Sequence, residues 1–193
     1  MNRRNFSKLA AISSLVGLAP SKIFSSVKSE TGLKISLAQW SLNKAIKAGE
    51  LSGLDFAKKS RSFGIEAIEY VSGLYTTHSN LLEKMSMKKL SKELIKRSSD
   101  YGIDNVLIMI DGQGSLASSN NTERLEAIDN HKKWIDFASE LGCETLRLNL
   151  SGEKNLDRWT DNSVKSLSTL SKYSKNINVV VENHGGLSSN GKY

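Results

Sequence analysis

The chain has 193 residues, 38% hydrophobic and 24% charged, with a formal net charge of +7, a composition that excludes a disordered or fibrous protein and fits one domain with its own core. Four of those seven net charges, Arg3, Arg4, Lys8 and Lys22, precede residue 27 with no acid among them, which leaves three for the rest. That remainder is ordinary for a soluble domain and singles out no nucleic acid.

The N-terminus opens with a short basic segment followed by an uncharged run of eleven residues, Leu9 to Ala19. A spanning helix needs about 20 apolar residues, so the run reads as a signal-peptide core and not as a stable membrane span. Asn2-Arg3-Arg4-Asn5-Phe6-Ser7-Lys8 resembles the twin-arginine export signal, departing from it at Asn2 and Ser7. The expectation is a leader over 1–26, cleaved near Ser25 or Ser26, a domain over 27–193, and a periplasmic or secreted location. The lone Cys143 allows no internal disulfide and reads as a small buried apolar residue.

From Gly32 onward, short β-rich runs alternate with helical patterns. Strands are predicted over Leu33–Leu42, Ile65–Val71, Asn105–Asp111, Glu144–Leu150 and Asn178–Asn183. Their near-continuous Val, Ile and Leu blocks fit a parallel sheet covered on both faces. Helices are predicted over Leu54–Phe63, Met85–Tyr101, Thr122–Leu141 and Trp159–Lys175. The third carries Leu125, Ile128, Ile135, Ala138 and Leu141 at helical spacing, with Trp134 and Phe137 packing against the sheet.

Gly64, Gly102 and Gly142 each precede a strand and suit helix C-caps. Gly73, Gly112, Gly152 and Gly185 follow strand ends at steps of 39, 40 and 33 residues, each step holding one βα unit. Five such units predict a (β/α) barrel or a doubly wound sheet. No Gly-x-Gly-x-x-Gly follows the first strand, and "DGQGS" at Asp111–Ser115 lacks the lysine of a phosphate-binding loop, so the barrel is preferred.

Catalytic groups of such barrels come from the C-terminal ends of strands. The candidates there are Gln39 and Trp40, Glu69 and Tyr70, Asp111, Asn149, and finally Glu182, Asn183 and His184. Strand alternation puts Glu182 and His184 on the face of Val180. If that face looks into the barrel, a carboxylate and an imidazole converge at its mouth, where they suit the start of a divalent-metal site. The competing reading of Glu182 is a structural ion pair with Arg147. His131, three after Ile128, reads as a packed helix histidine, and His78, in the polar loop "YTTHSN", as surface.

Together "SLAQWSL", "FGIEAIEYV", "IMIDGQG", "DNHKKWIDFASELGCETLRLN" and "VVVENHGGLSS" resemble the sugar phosphate isomerase/epimerase family, the xylose isomerase-like TIM barrels. The resemblance runs from about Leu33 to Ser189 and implies an α/β fold, five of the eight βα units of a (β/α)8 barrel, with the chain stopping before strand six. It implies a divalent metal (Mn2+, Mg2+, Co2+ or Zn2+) held by a Glu on strand five, the position of Glu182, with further ligands on strands that have no counterpart here. It implies isomerisation or epimerisation of a small sugar or hydroxy-carbonyl substrate by proton transfer through an enediol, Glu182 being catalytic. His184, Asn183, Glu69, Asn149, Gln39 and Asp111 are the candidate substrate-binding residues. Two other functions compete: a metal-dependent phosphodiesterase or endonuclease on the same fold, and a non-catalytic secreted carbohydrate-binding barrel. The chain as it stands is expected to be inactive, and to associate through its open side. Its oligomeric state is otherwise left open.

Overall fold

The computed structural model describes residues 33–78 and 81–191; the proposed leader lies outside them. Everything below belongs to the compact unit from Ile35 onward.

Five strands, β1 (Leu37–Ala38), β2 (Ala67–Val71), β3 (Asp104–Met109), β4 (Thr145–Asn149) and β5 (Asn178–Glu182), form one parallel sheet in the order β1-β2-β3-β4-β5. The helical segments are α1 (Asn43–Lys47), α2 (Phe56–Ser62), α3 (Gly73–Thr76), α4 (Leu81–Lys84), α5 (Met87–Tyr101), α6 (Asn121–Leu141) and α7 (Leu156–Tyr173). Consecutive parallel neighbours joined through helices are the repeat of a TIM barrel, of which this is the five-unit part.

Helix ends follow local chemistry. Ser86, Asn120 and Asn155 cap α5, α6 and α7, each side chain accepting from backbone N–H groups of the first turn. Gly102 and Gly142 end α5 and α6 in the left-handed conformation.

The first predicted strand is corrected most. Instead of running to Leu42, the chain leaves the sheet after Ala38 and turns into a 3-10 segment, Gln39–Leu42. The cause is Gln39, which is fully buried: its Oε1 accepts from the Val71 N–H at 2.9 Å, and its Nε2 donates to the Tyr75 hydroxyl at 2.8 Å. Tyr75 in turn donates to the Gly53 carbonyl at 3.2 Å. One amide thus ties the end of β2 to α3 and to the turn before α2, and satisfies a strand N–H that lies beyond the reach of two-residue β1.

The two faces of the sheet bury different sets. Ile68, Tyr70, Ile108, Ile110, Leu146 and Leu148 point outward and pack with Leu90, Leu94, Trp134, Ile135, Phe137 and Leu170 of the helices. Inward, Val71 and Met109 meet Ile46 and Leu74. Burial pushes the Cys143 thiol up to about 12, so it stays protonated within the outer core.

The buried stripe of α6 runs through Ala127, Ile128, His131, Trp134, Ile135, Ala138 and Leu141. Leu125 is not part of it and is 52% exposed; at 3.6 residues per turn it sits roughly a third of a turn from His131.

Three outcomes are expected. Gln39→Met leaves the Val71 N–H buried without an acceptor, so urea unfolding should show about 1–3 kcal/mol lost. The second concerns pH: burial lowers the His131 pKa below its ordinary 6.5, so the unfolded chain binds the proton more readily than the folded one. His131 stability is fully present above about pH 6.5 and is lost as pH falls through the lower folded value. Between pH 8 and 5.5 the urea midpoint of the wild type should therefore fall further than that of His131→Phe. Third, β1 and β5 each pair on one side only among the described residues, and Val180 and Val181 are 39% and 41% exposed. Sedimentation velocity of the 193-residue chain should show concentration-dependent association, reduced in Val181→Lys.

Candidate active site

The pairing of Asn149 with Glu182 and of Arg147 with Val180 sets the site. In a strand, residues two apart share a face, so Arg147, Asn149 and Glu182 all point inward, away from Leu146 and Leu148. Asp111, just past β3, joins this row: its Oδ1 accepts from Asn149 Nδ2 at 3.2 Å. Its backbone is fixed by fully buried Ser72, whose hydroxyl accepts from the Asp111 N–H at 3.0 Å while its own N–H donates to the Met109 carbonyl at 2.9 Å.

Below the row, Arg147 Nη2 lies 2.9 Å from Glu182 Oε2. Glu182 Oε2 is buried in this contact, and its charge is balanced by the guanidinium of the neighbouring strand. Both readings of Glu182 thus meet in one geometry: it is paired with Arg147, and it faces the mouth.

A groove of about 710 Å3 opens over these groups, within the range of small-molecule sites. Asp111, Arg147, Asn149, Glu182 and His184 line it from the sheet side. Trp40 and His78 line the opposite wall. His78, read from sequence as a surface residue, is exposed but borders this groove. Trp40 is 47% exposed there, with Lys47 Nζ 4.5 Å from its ring centroid.

Three candidates do not reach the mouth. Gln39 is buried and committed to the bonds described above. Glu69 registers with Leu107, which registers with Thr145, two residues below the row of Arg147 along β4, and its carboxylate accepts from the Ser36 hydroxyl at 2.5 Å. Asn183 is exposed, alternates to the other face from Glu182 and lines neither cavity, its carbonyl accepting from the Ser189 hydroxyl at 2.7 Å. Trp40, named at the end of the first strand, lines the groove, as do Ser41, Thr77, His78 and Arg147, which are not among the strand-end candidates. Trp40 had a signal in its place beside Gln39 at a strand end, whereas His78 arrives only through tertiary packing.

The donor set was tested against the divalent metal that the fold implies. The Glu182 carboxylate, a hard oxygen donor at a strand end that lines the groove, fits one ligand position. Among the described residues no group of three His, Cys, Asp or Glu side chains is placed to hold an ion. Also among them, no helix is long and apolar enough to cross a membrane.

The comparisons agree with this geometry. Residues 57–192 match the model of the family described as xylose isomerase-like TIM barrel. No curated protein matches the sequence. Among solved structures, a D-tagatose 3-epimerase-like protein is similar at 17% identity and TM-score 0.60, over 80% of this chain and 54% of that one. D-psicose 3-epimerase, solved in the presence of D-fructose, is similar at 13% identity and TM-score 0.58, over 76% and 51%. The IOLI protein with a bound zinc atom is similar at 14% identity and TM-score 0.56, over 77% and 51%. The chain therefore spans about half the length of these structures, and at such identities they share its fold. With five consecutive parallel βα units and a family match over most of its length, the chain belongs to the xylose isomerase-like TIM barrel family.

Proposed function

We propose that the protein is a divalent-metal-dependent isomerase or epimerase of a small sugar, the activity belonging to the whole eight-unit barrel of the fold, of which five units are described. One observation carries the reading: Glu182 ends β5 on the inward face, in one row with Asn149 and its partner Asp111, and lines a groove of small-molecule size. Glu182 would hold the metal, which when bound stabilises negative charge developing on a substrate oxygen.

The chain's own residues do the rest. Arg147 fixes the Glu182 carboxylate from below. Asp111 and Asn149, hydrogen-bonded to each other, present a second carboxylate and an amide beside it for substrate hydroxyls. Glu182 moves a proton at the carbon next to the carbonyl, through an enediol. Trp40 offers an apolar face across the groove against which a sugar ring or chain can lie. Arg147 is the one cation among the described lining residues and is already paired, which suits a small polar substrate better than a polyanion. The sugar-epimerase neighbours support the same substrate class. Export to the periplasm remains a proposal resting on the N-terminal motif.

The test is exchange in D2O with Mn2+ and a ketohexose, D-fructose first, using protein that carries all eight βα units. Deuterium should enter the carbon beside the carbonyl, and Glu182→Gln should slow this by about 10²–10⁴-fold. Metal-independent exchange, or unchanged exchange in Glu182→Gln, would overturn the proposal.

A further inference from the structure

A second cavity, of about 370 Å3, adjoins the groove and shares Gly112, Asn149 and His184 with it. Its remaining polar lining is the loop Gln113-Gly114-Ser115, His131 of α6 and Ser151. The proposed reaction uses none of these.

The chemistry of the cavity is unusual in two respects. No Lys, Arg, Asp or Glu is among its described lining residues, although the groove next to it holds three such groups. Several of its polar groups also have no partner among the described residues. His131 is 2% exposed, and its Nδ1 lies 2.7 Å from the Ala127 carbonyl. A carbonyl only accepts, so Nδ1 carries the hydrogen and Nε2 is a bare acceptor in the neutral ring. Burial, which lowers the His131 pKa, keeps the ring neutral. Neither the hydroxyls of Ser115 and Ser151 nor the N–H groups of Gly112, Gln113, Gly114 and Ser115 bond to any described residue.

The loop is held in place by contacts a side chain would break. At Gly114, with φ +99°, a Cβ would stand 2.8 Å from the Ala127 Cβ and 3.2 Å from its Cα. The glycine lets the loop lie directly against α6, one turn from His131.

A ligand that satisfies this lining must both donate, to His131 Nε2, and accept, from the serine hydroxyls and loop amides. Hydroxyl groups do both. The phosphomonoester dianion of a phosphorylated sugar only accepts, would leave His131 Nε2 unpaired, and finds no cation here. We propose that this cavity is a specificity subsite for the uncharged, hydroxylated tail of the substrate, with His131 Nε2 as its acceptor, so that the protein takes a non-phosphorylated sugar. The inference rests on the isomerase or epimerase reading and narrows its substrate class.

The test uses erythritol, a four-carbon polyol without a carbonyl, against methyl phosphate as the dianion, followed by NMR on protein labelled with 15N at histidine and backbone. Erythritol should shift the His131 Nε2 resonance and the amides of Gly112–Ser115 saturably, and methyl phosphate should not. Ser115→Ala with Ser151→Ala, at partly exposed and exposed loop positions, should weaken erythritol by about five- to tenfold. Shifts produced by methyl phosphate in place of erythritol would overturn the proposal. So would the absence of erythritol shifts at the highest soluble concentration, or equal affinity in the double variant. Because erythritol has no carbonyl, its failure would leave the role of Glu182 standing, and unchanged exchange in Glu182→Gln would leave the subsite standing.

Discussion

The candidate site depends on one constraint, the parallel register of β4 against β5. Pairing Asn149 with Glu182 aligns three polar side chains, Arg147, Asn149 and Glu182, on the face turned from the helices. A slip of one residue would exchange that face for the other, sending Glu182 toward the helix layer and Val181 into the mouth. The outer core resists such a slip, because Leu146 and Leu148 are fully buried among side chains of α6 and α7, and Val179 packs against the same cluster. The apolar half of each strand thus determines where its polar half points.

The polar end of the sheet is held by buried hydrogen bonds where the strands themselves run out. Gln39 takes over from β1 and Ser72 from β2, each satisfying a backbone N–H of the neighbouring strand or loop. Both are fully buried, and both sit one residue from groups that line the groove, Trp40 and Gly73. Supporting residues and lining residues are therefore adjacent in the chain, which is why Gln39 was mistaken for a ligand contact when read from sequence.

Much of the fold was legible because each unit repeats the same local signals. Continuous Val, Ile and Leu runs, Asn or Ser before the helices and glycine after them all agree with one another, and four of the five strands lie within their predicted bounds to about two residues. Alternation placed Glu182 and His184 on the face of Val180, and the register with Asn149 and Arg147 shows that this face looks inward. The rest depended on information that no short window holds. The end of β1 is decided by a hydrogen bond from Gln39 to a residue 32 positions away. His78 reaches the groove through the packing of α3, and Leu125 was misplaced because the buried stripe of α6 is centred nearer His131 than Ile128. His131 was correctly read as a packed helix histidine, but its bare Nε2 beside the glycine loop emerges only once α6 and the β3 loop are brought together.

The alignment of Asp111, Asn149 and Glu182 in one row at the mouth is tested most directly by paramagnetic relaxation from Mn2+ added to the 193-residue chain, which registers weak binding. The account predicts that the side-chain amide of Asn149 and the backbone amides of Asp111 and His184 broaden first, and that Glu182→Gln abolishes the effect. Broadening centred on exposed surface carboxylates such as Glu83 or Asp157, with those three resonances untouched, would contradict it.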